Sequence, residues 1–155
     1  MSKIENIPNT TETANRTNKP RRRRRRFDPY KIVIRGIETD NERLLLAQTF
    51  NRAGLLEGNI QWTPESIGGA PEKFYLLYIN DEIAGVIGST LERNYFGKLF
   101  TFPEFRRRRV ATILISFLEF LAISEGLSYI YCHIKPDNVV SQKLHRELGW
   151  VRWRA

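Results

Sequence analysis

Four consecutive arginines, Arg106, Arg107, Arg108 and Arg109, run directly into an apolar stretch that begins Val110, Ala111. Apolar residues recur there at spacings of three and four, so the arginines fall at or just before the first turn of a helix. Unpaired backbone N–H groups and the helix dipole favour negative charge at that place and disfavour positive charge. Four cations are therefore electrostatically out of place unless an anion sits among them, and helix N-termini after tight turns bind phosphates readily. The alternative is a solvated basic corner, where each unfavourable dipole contact costs about 0.3–1 kcal/mol and salt screens it.

A second basic run, Arg21, Arg22, Arg23, Arg24, Arg25 and Arg26, follows a polar segment of Asn, Thr, Glu, Ser and Lys that has little to bury and is expected to be disordered alone. Adjacent arginines repel one another and pair well with phosphates, which they grip through two parallel hydrogen bonds. The run reads as an arm that binds nucleic acid or another polyanion with steep salt dependence. A solubilising tail or a targeting signal would look the same. No aromatic residue interrupts the run, so base stacking and sequence specificity are not expected of it.

Charge separates this arm from the rest. Of the net charge of +8, residues 1–26 carry +7 and the remaining 129 residues only +1, so residues 27–155 form a nearly neutral domain. That length supports one core without staples. The lone Cys132 excludes an internal disulfide, fits a reducing compartment and offers no metal cluster. There is no apolar run of about 18 residues and no signal-peptide core, so the expected location is cytoplasmic or inside a particle, neither membrane-bound nor secreted.

The elements that must position these groups follow from periodicity. Residues 30–37 (YKIVIRGI) alternate as a strand, with Ile32, Ile34 and Gly36 facing one way. Thr39 and Glu42 form a capping box that opens a helix carrying Leu44, Leu45, Ala47, Phe50 and Ala53, ended by Gly54 or Gly58. Residues 58–71 read as a long loop or short second helix, with Trp62 either contacting substrate or packed on the core. Residues 73–80 and 83–91 form a hairpin turning at Asp81 and Glu82, and residues 95–102 add a third strand. The helix after the arginines presents Val110, Ile113, Leu114, Phe117, Leu118 and Leu121, widened by Ile115, Phe120 and Ile123, so it is expected to be covered on more than one side. Gly126 ends it. Residues 129–135 form a strand parallel to the one before the helix, because a helical crossover joins them. Asp137 or Asn138 caps a last helix with Val140, Leu144 and Leu148 on one face, Gly149 stops it, and residues 150–153 form a final short strand.

This order, together with PEFRRRRVATIL and NVVSQKLHRELGW, resembles the GNAT acetyltransferase superfamily from about Tyr30 to the C-terminus. The family's acetyl-coenzyme A motif, Q/R-x-x-G-x-G/A, is met by Arg106 at its first position and Ala111 at its last, after the lead-in Pro103, Glu104, Phe105. Arg109 stands where the family has glycine. A second pattern, Asn-x-x-Ala/Ser-x-x-Leu-Tyr-x-x-x-Gly-Phe, is met by Asn138, Ser141, Leu144, Leu148, Gly149 and Trp150, with His145 at the tyrosine position. The resemblance implies an α/β fold of a central mixed, mostly antiparallel sheet flanked by helices. It implies an acetyl-coenzyme A site at Arg106, Arg107, Arg108, Arg109, Val110, Ala111 and Asn138, where backbone N–H groups hold the pyrophosphate. Arg109 would either block the close backbone approach that glycine allows or add a charged contact.

The family's tyrosine often protonates the departing thiolate, and His145 would take that role if its ring can deliver a proton. Otherwise it is an ordinary half-buried residue. His133 is a further candidate base, and Glu92 and Glu104 are candidates for activating the amine, against the default of surface carboxylates. The chain stops five residues past Trp150, where the family usually continues into another strand, and the shortened edge would be covered by a partner, by the arm or by water. Two functions stand side by side: an acetyltransferase with a polyanion-binding arm, and a non-catalytic member of the same fold used in a ribonucleoprotein or virus particle.

Overall fold

Thr39 and Glu42 form the capping box that their spacing implies, Thr39 Oγ1 accepting from the Glu42 N–H and Glu42 Oε1 accepting from the Thr39 N–H, both at 3.1 Å. They start helix α1, Asp40–Ala53, in a computed structural model that describes residues 30–152. The expected polyanion-binding arm lies outside these residues. Gly54 ends α1 in a left-handed conformation, φ 74°.

Glu42 decides which way α1 faces. Its carboxylate is buried against the first strand, and helical geometry then turns Leu46, Thr49 and Phe50 inward with it, at offsets of four, seven and eight. Leu44, two residues on, is carried to the outside, and Ala53 is exposed at the helix end.

Strand β1 (Ile32–Gly36) lies at one edge of a four-stranded antiparallel sheet, followed by β2 (Lys73–Ile79), β3 (Glu82–Thr90) and β4 (Tyr95–Thr101) in that order. The β2–β3 turn is Asn80–Asp81 rather than Asp81–Glu82. Both turn residues take positive φ, 49° and 68°, as a two-residue hairpin turn of the type I′ class requires, and Asn and Asp tolerate that region best after glycine. Alternation sends Phe74 and Leu76 to one face of the sheet and Leu77 and Ile87 to the other.

Each face has its own core. On one, Leu46, Ala47 and Phe50 of α1 meet Trp62, Phe74, Leu76 and Val86, together with Ile67 of the short helix α2 (Pro64–Gly68). Trp62 is thus a core residue, its ring 5.9 Å from Phe50 and 6.1 Å from Phe74. On the other face helix α3 (Val110–Ser124) buries Val110, Leu114, Ile115 and Leu118. The sheet covers one side of α3, and Leu144, Leu148 and Trp150 cover part of the next. Phe120 and Ile123 remain 65% and 74% exposed, so the helix is not covered all round as its apolarity implied.

After α3 the chain returns parallel to β4, in the expected direction, but the strand expected at residues 129–135 is reduced to a single bridge between Tyr95 and Tyr131. Helix α4 (Val139–Glu147) starts at Asn138, whose Oδ1 accepts from the Ser141 N–H at 3.1 Å. Its inner face carries Leu144 and His145; Val140 is exposed because the capped start sets a rotation that buries His145 instead. Trp150 to Arg152 make no strand. The Trp150 N–H caps α4 through the His145 carbonyl at 2.9 Å, and its indole N–H donates to Glu119 Oε2 at 2.9 Å, so these groups serve helix docking and not a ladder.

Candidate functional site

Phe105 is buried at the end of a single 3₁₀ turn, Pro103–Phe105, and anchors the chain as it leaves β4. From there Arg106 is extended, Arg107 is left-handed (φ 66°) and Arg109 is left-handed again (φ 61°) as the residue before α3. Left-handed residues in a turn before a helix are a backbone pattern in which successive N–H groups can face a common anion. Helix bonding begins only with Ile113 N–H to the Arg109 carbonyl at 3.0 Å. Among the described residues no backbone or side-chain acceptor takes the N–H groups of Val110, Ala111 and Thr112. All four arginines are exposed, and no carboxylate among the described residues forms an ion pair with them. The Arg108 guanidinium carbon lies 5.5 Å from the centre of the Phe105 ring.

The turn therefore keeps a glycine-type backbone without glycine. A non-glycine residue held left-handed costs about 1 kcal/mol, which glycine avoids. Arg109→Gly is expected to leave unfolding free energy within about 1 kcal/mol of the parent in urea titrations, since relief of strain and the greater freedom of unfolded glycine offset each other.

Beside this turn the sheet edge opens. Tyr131 N–H donates to the Asn94 carbonyl at 2.7 Å, and Phe96 N–H donates to the Tyr131 carbonyl at 3.1 Å. The next pair of a parallel ladder would join Phe96 and His133, and it does not form among the described residues. The strand register shows why. Gly97 faces Gly88 and Phe100 faces Val86, so Ile87 alone opposes both Lys98 and Leu99, a bulge in β4 with Lys98 left-handed at φ 55°. Past Phe96 no backbone bond joins β4 to residues 132–135 among the described residues, which leaves an unpaired wedge of sheet edge between the strand that leads to the arginines and the segment that leads to Asn138.

Lys98 is directed to the Trp62 side of the sheet. Its Nζ lies 2.5 Å from Glu72 Oε2, 3.4 Å from Glu57 Oε1 and 5.3 Å from the Trp62 ring centre. Nearby, the rings of Tyr95, Tyr131 and His133 are mutually 5.2–5.6 Å apart. Burial raises the Tyr95 hydroxyl above its ordinary pKa, and burial alone pushes the Cys132 thiol up to about 11, so Cys132 is a neutral thiol and not a nucleophile at neutral pH.

The sequence-predicted residues fall in separate places. Residues 106–111 form the turn itself, and Glu104 lies exposed in the 3₁₀ turn leading into it. Asn138 stands at the far wall of the wedge, its side chain engaged as the cap of α4. Glu92 is exposed at the opposite end of α3, lining an open cavity of about 230 Å³ with Lys73, Tyr75, Ser89 and Glu125. His133 is exposed.

His145 is buried between Phe96, which it stacks on at 5.9 Å, and Trp150, which meets it edge-on at 5.2 Å. Its Nδ1 is 2.8 Å from the Ser141 carbonyl oxygen, which can only accept, so Nδ1 carries the proton of the neutral ring. Nε2 is then a bare lone pair, buried without a partner. Sequence reasoning passed over Lys98 and Glu72; the one available signal was Gly97 inside a strand pattern, which marks a bulge. Among the described residues no group of three His, Cys, Asp or Glu could hold a metal ion, and no helix is long and apolar enough to cross a membrane.

An antiparallel sheet flanked by helices, with four exposed arginines in the turn that opens α3, is the architecture of the GNAT acetyltransferase fold. The chain belongs to the acetyltransferase (GNAT) family, whose pattern it matches over residues 36–150. Its fold is similar to that of the aminoglycoside N-acetyltransferase AAC(6')-Iy in complex with CoA, with a TM-score of 0.63 at 17% identity over 83% of this chain and 93% of that one. It is also similar to a GNAT-family acetyltransferase from Staphylococcus aureus (TM-score 0.59, 16% identity, 77% and 84% covered). Glucosamine-6-phosphate N-acetyltransferase from Arabidopsis thaliana has a TM-score of 0.57 at 14% identity, with 81% and 95% covered. No curated protein sequence matches this chain.

Proposed function

We propose that residues 27–155 form an N-acetyltransferase that binds acetyl-coenzyme A across the wedge, and that residues 1–26 form an arm that holds the enzyme on nucleic acid or another polyanion. The observation that carries the first part is the set of open N–H groups at Val110, Ala111 and Thr112 behind two left-handed arginines, a seat for pyrophosphate. The unpaired edge of β4 past Phe96 has the spacing to bond the amides of an extended arm. Bound there, acetyl-coenzyme A supplies an activated acetyl group. The chain's own contribution is to orient it: the arginines hold the phosphates, the strand edge holds the arm, and the acceptor amine meets the thioester by proximity. In this reading Arg109 adds a cation to the seat and does not close it.

One observation favours the non-catalytic alternative, a structural or nucleic-acid-packaging role in a particle. With its proton on Nδ1, His145 offers no N–H at Nε2 to a departing thiolate. Calorimetric titration of acetyl-coenzyme A into the full chain separates the cases. Binding is expected, weakening with salt and falling about tenfold or more in Arg106→Ala, the scale of one charge-assisted phosphate contact. Absence of heat at millimolar ligand would sink both the cofactor site and the enzyme. Binding with no transfer to amine acceptors would leave the non-catalytic reading.

A further inference from the structure

We infer that Lys98 and Glu72 are positioning residues: their ion pair locks the β4 bulge and so holds the strand edge away from residues 132–135. In the acetyl-coenzyme A reading, on which the ligand part of this inference rests, that edge is where the arm lies.

The strand itself argues against the conformation. Lysine does not favour φ 55°, and without glycine a bulge of this kind is strained. What over-determines it is long-range. The ammonium is pinned at 2.5 Å to Glu72, which directly precedes β2, and lies over the Trp62 ring. The Lys98 and Glu72 side chains are only 14% and 10% exposed, so the pair is shielded from screening, and loss of Glu72 leaves the ammonium with only the longer contact to Glu57 among the described carboxylates. Trp62 is in turn fixed by three hydrogen bonds, its N–H to Asn51 Oδ1 at 2.7 Å, its carbonyl from Asn51 Nδ2 at 2.9 Å and its indole N–H to the Leu55 carbonyl at 2.8 Å. Lys98 thus ties the bulge to α1, to the loop after it and to the start of β2. Glu57, more exposed and 3.4 Å away, is an outer contact of the same ammonium. Released from this clamp, β4 has no remaining reason to keep a left-handed lysine, and a regular strand would bring its edge into register with His133 and close the wedge.

Three variants of the full chain test the clamp: Lys98→Met and Glu72→Gln remove the ion pair, and Lys98→Gly removes it while making the left-handed backbone easy. Affinity is measured by calorimetry for two probes, acetyl-coenzyme A and adenosine 3′,5′-bisphosphate, the nucleotide portion without the arm. Hydrogen exchange at the amides of residues 97–100 reads the bulge directly. In Lys98→Met and Glu72→Gln, acetyl-coenzyme A is expected to bind about tenfold more weakly with the bisphosphate unchanged, and exchange at 97–100 to shift relative to β2 and β3. Lys98→Gly is expected to stay within about twofold of the parent for both probes. Parallel loss of both probes would reduce the pair to ordinary stability, and loss in Lys98→Gly equal to that in Lys98→Met would mean that the charge itself meets the ligand; either overturns the inference. If the parent chain binds neither probe, the cofactor reading falls on its own, and exchange still decides the clamp: unchanged exchange in Lys98→Met refutes it and altered exchange there, absent in Lys98→Gly, supports it.

Discussion

Glu42→Ala is expected to cost about 3–5 kcal/mol of unfolding free energy, a large part of the stability of a domain this size. Five donors converge on this one buried carboxylate. Oε1 accepts from Arg35 Nη1 at 3.2 Å and from the N–H groups of Glu38 and Thr39 at 2.8 and 3.1 Å; Oε2 accepts from Arg35 Nη2 at 2.7 Å and from the Tyr78 hydroxyl at 2.5 Å. Alanine removes the acceptor, takes the partner from the Tyr78 phenol and leaves the half-buried Arg35 guanidinium with the Gly36 carbonyl at 3.0 Å and the Glu38 carboxylate at 3.6 Å, a costly way to break such a network. It also removes the half of the capping box in which Glu42 accepts from the Thr39 N–H, and with it the attachment of α1 to Arg35 of β1 and Tyr78 of β2. Equilibrium urea titration of the variant reads the loss.

The same group makes the domain acid-sensitive. Burial pushes the Glu42 carboxyl up, but Arg35, Tyr78 and the two backbone N–H groups outweigh it and hold the carboxyl at about 2 against an ordinary 4.5. Burial, reinforced by Glu42, pushes the Tyr78 hydroxyl up to about 12. Because the folded carboxyl is the stronger acid, its contribution is fully present above about pH 4.5 and is lost as pH falls toward about 2, some 3 kcal/mol in all. Glu42→Gln is therefore expected to be less stable than the parent near pH 7, with the gap narrowing on acidification to about pH 3. A gap that stays constant over that range would show that the charge of Glu42 is not what holds the network.

The second large effect is expected at Gly85. A Cβ there would sit 2.6 Å from Val110 Cγ1, 3.1 Å from Leu114 Cδ1 and 3.1 Å from the Phe100 carbonyl oxygen. The first turn of α3 rests directly on this backbone, so Gly85→Val must push the helix off β3, at about 3 kcal/mol or more. The displaced residue, Val110, opens α3 and carries one of the N–H groups of the proposed pyrophosphate seat. Loss of acetyl-coenzyme A affinity should accompany the loss of stability, by about tenfold or more. Gly88→Ala serves as the control. Its Cβ would meet Phe74 Cε1 at 2.9 Å, on the α1 side of the sheet, so it should destabilise without weakening the ligand. Equal weakening in both variants would show that affinity follows general stability and not the seating of α3.

The candidate site was legible in part. The place of the arginines at the start of α3 was readable because helix ends and apolar periodicity are local matters within one turn of chain. That two of them adopt a glycine-type backbone was not, since arginine has no preference for it and only the anchoring of Phe105 and Val110 imposes it. His145 was readable as a polar residue on the last helix, while its burial depends on Phe96 and Trp150 closing around it and its Nδ1 is engaged by the Ser141 carbonyl. The ladder at residues 129–135 failed for a similar reason: β propensity is present, but the bulge across from it removes the register.

The sequence by itself determined the order and kind of the elements: the capping box of α1, the hairpin, the apolar helix behind the arginines, and the capped last helix. Each rests on interactions within about four residues, which periodicity and cap chemistry report directly. The tertiary structure alone decided which face of α1 is inside, where β4 bulges and where the wedge opens. Those outcomes hang on contacts between residues far apart in the chain, Tyr78 with Glu42 across 36 positions and Lys98 with Glu72 across 26, and no local pattern encodes a partner at that distance.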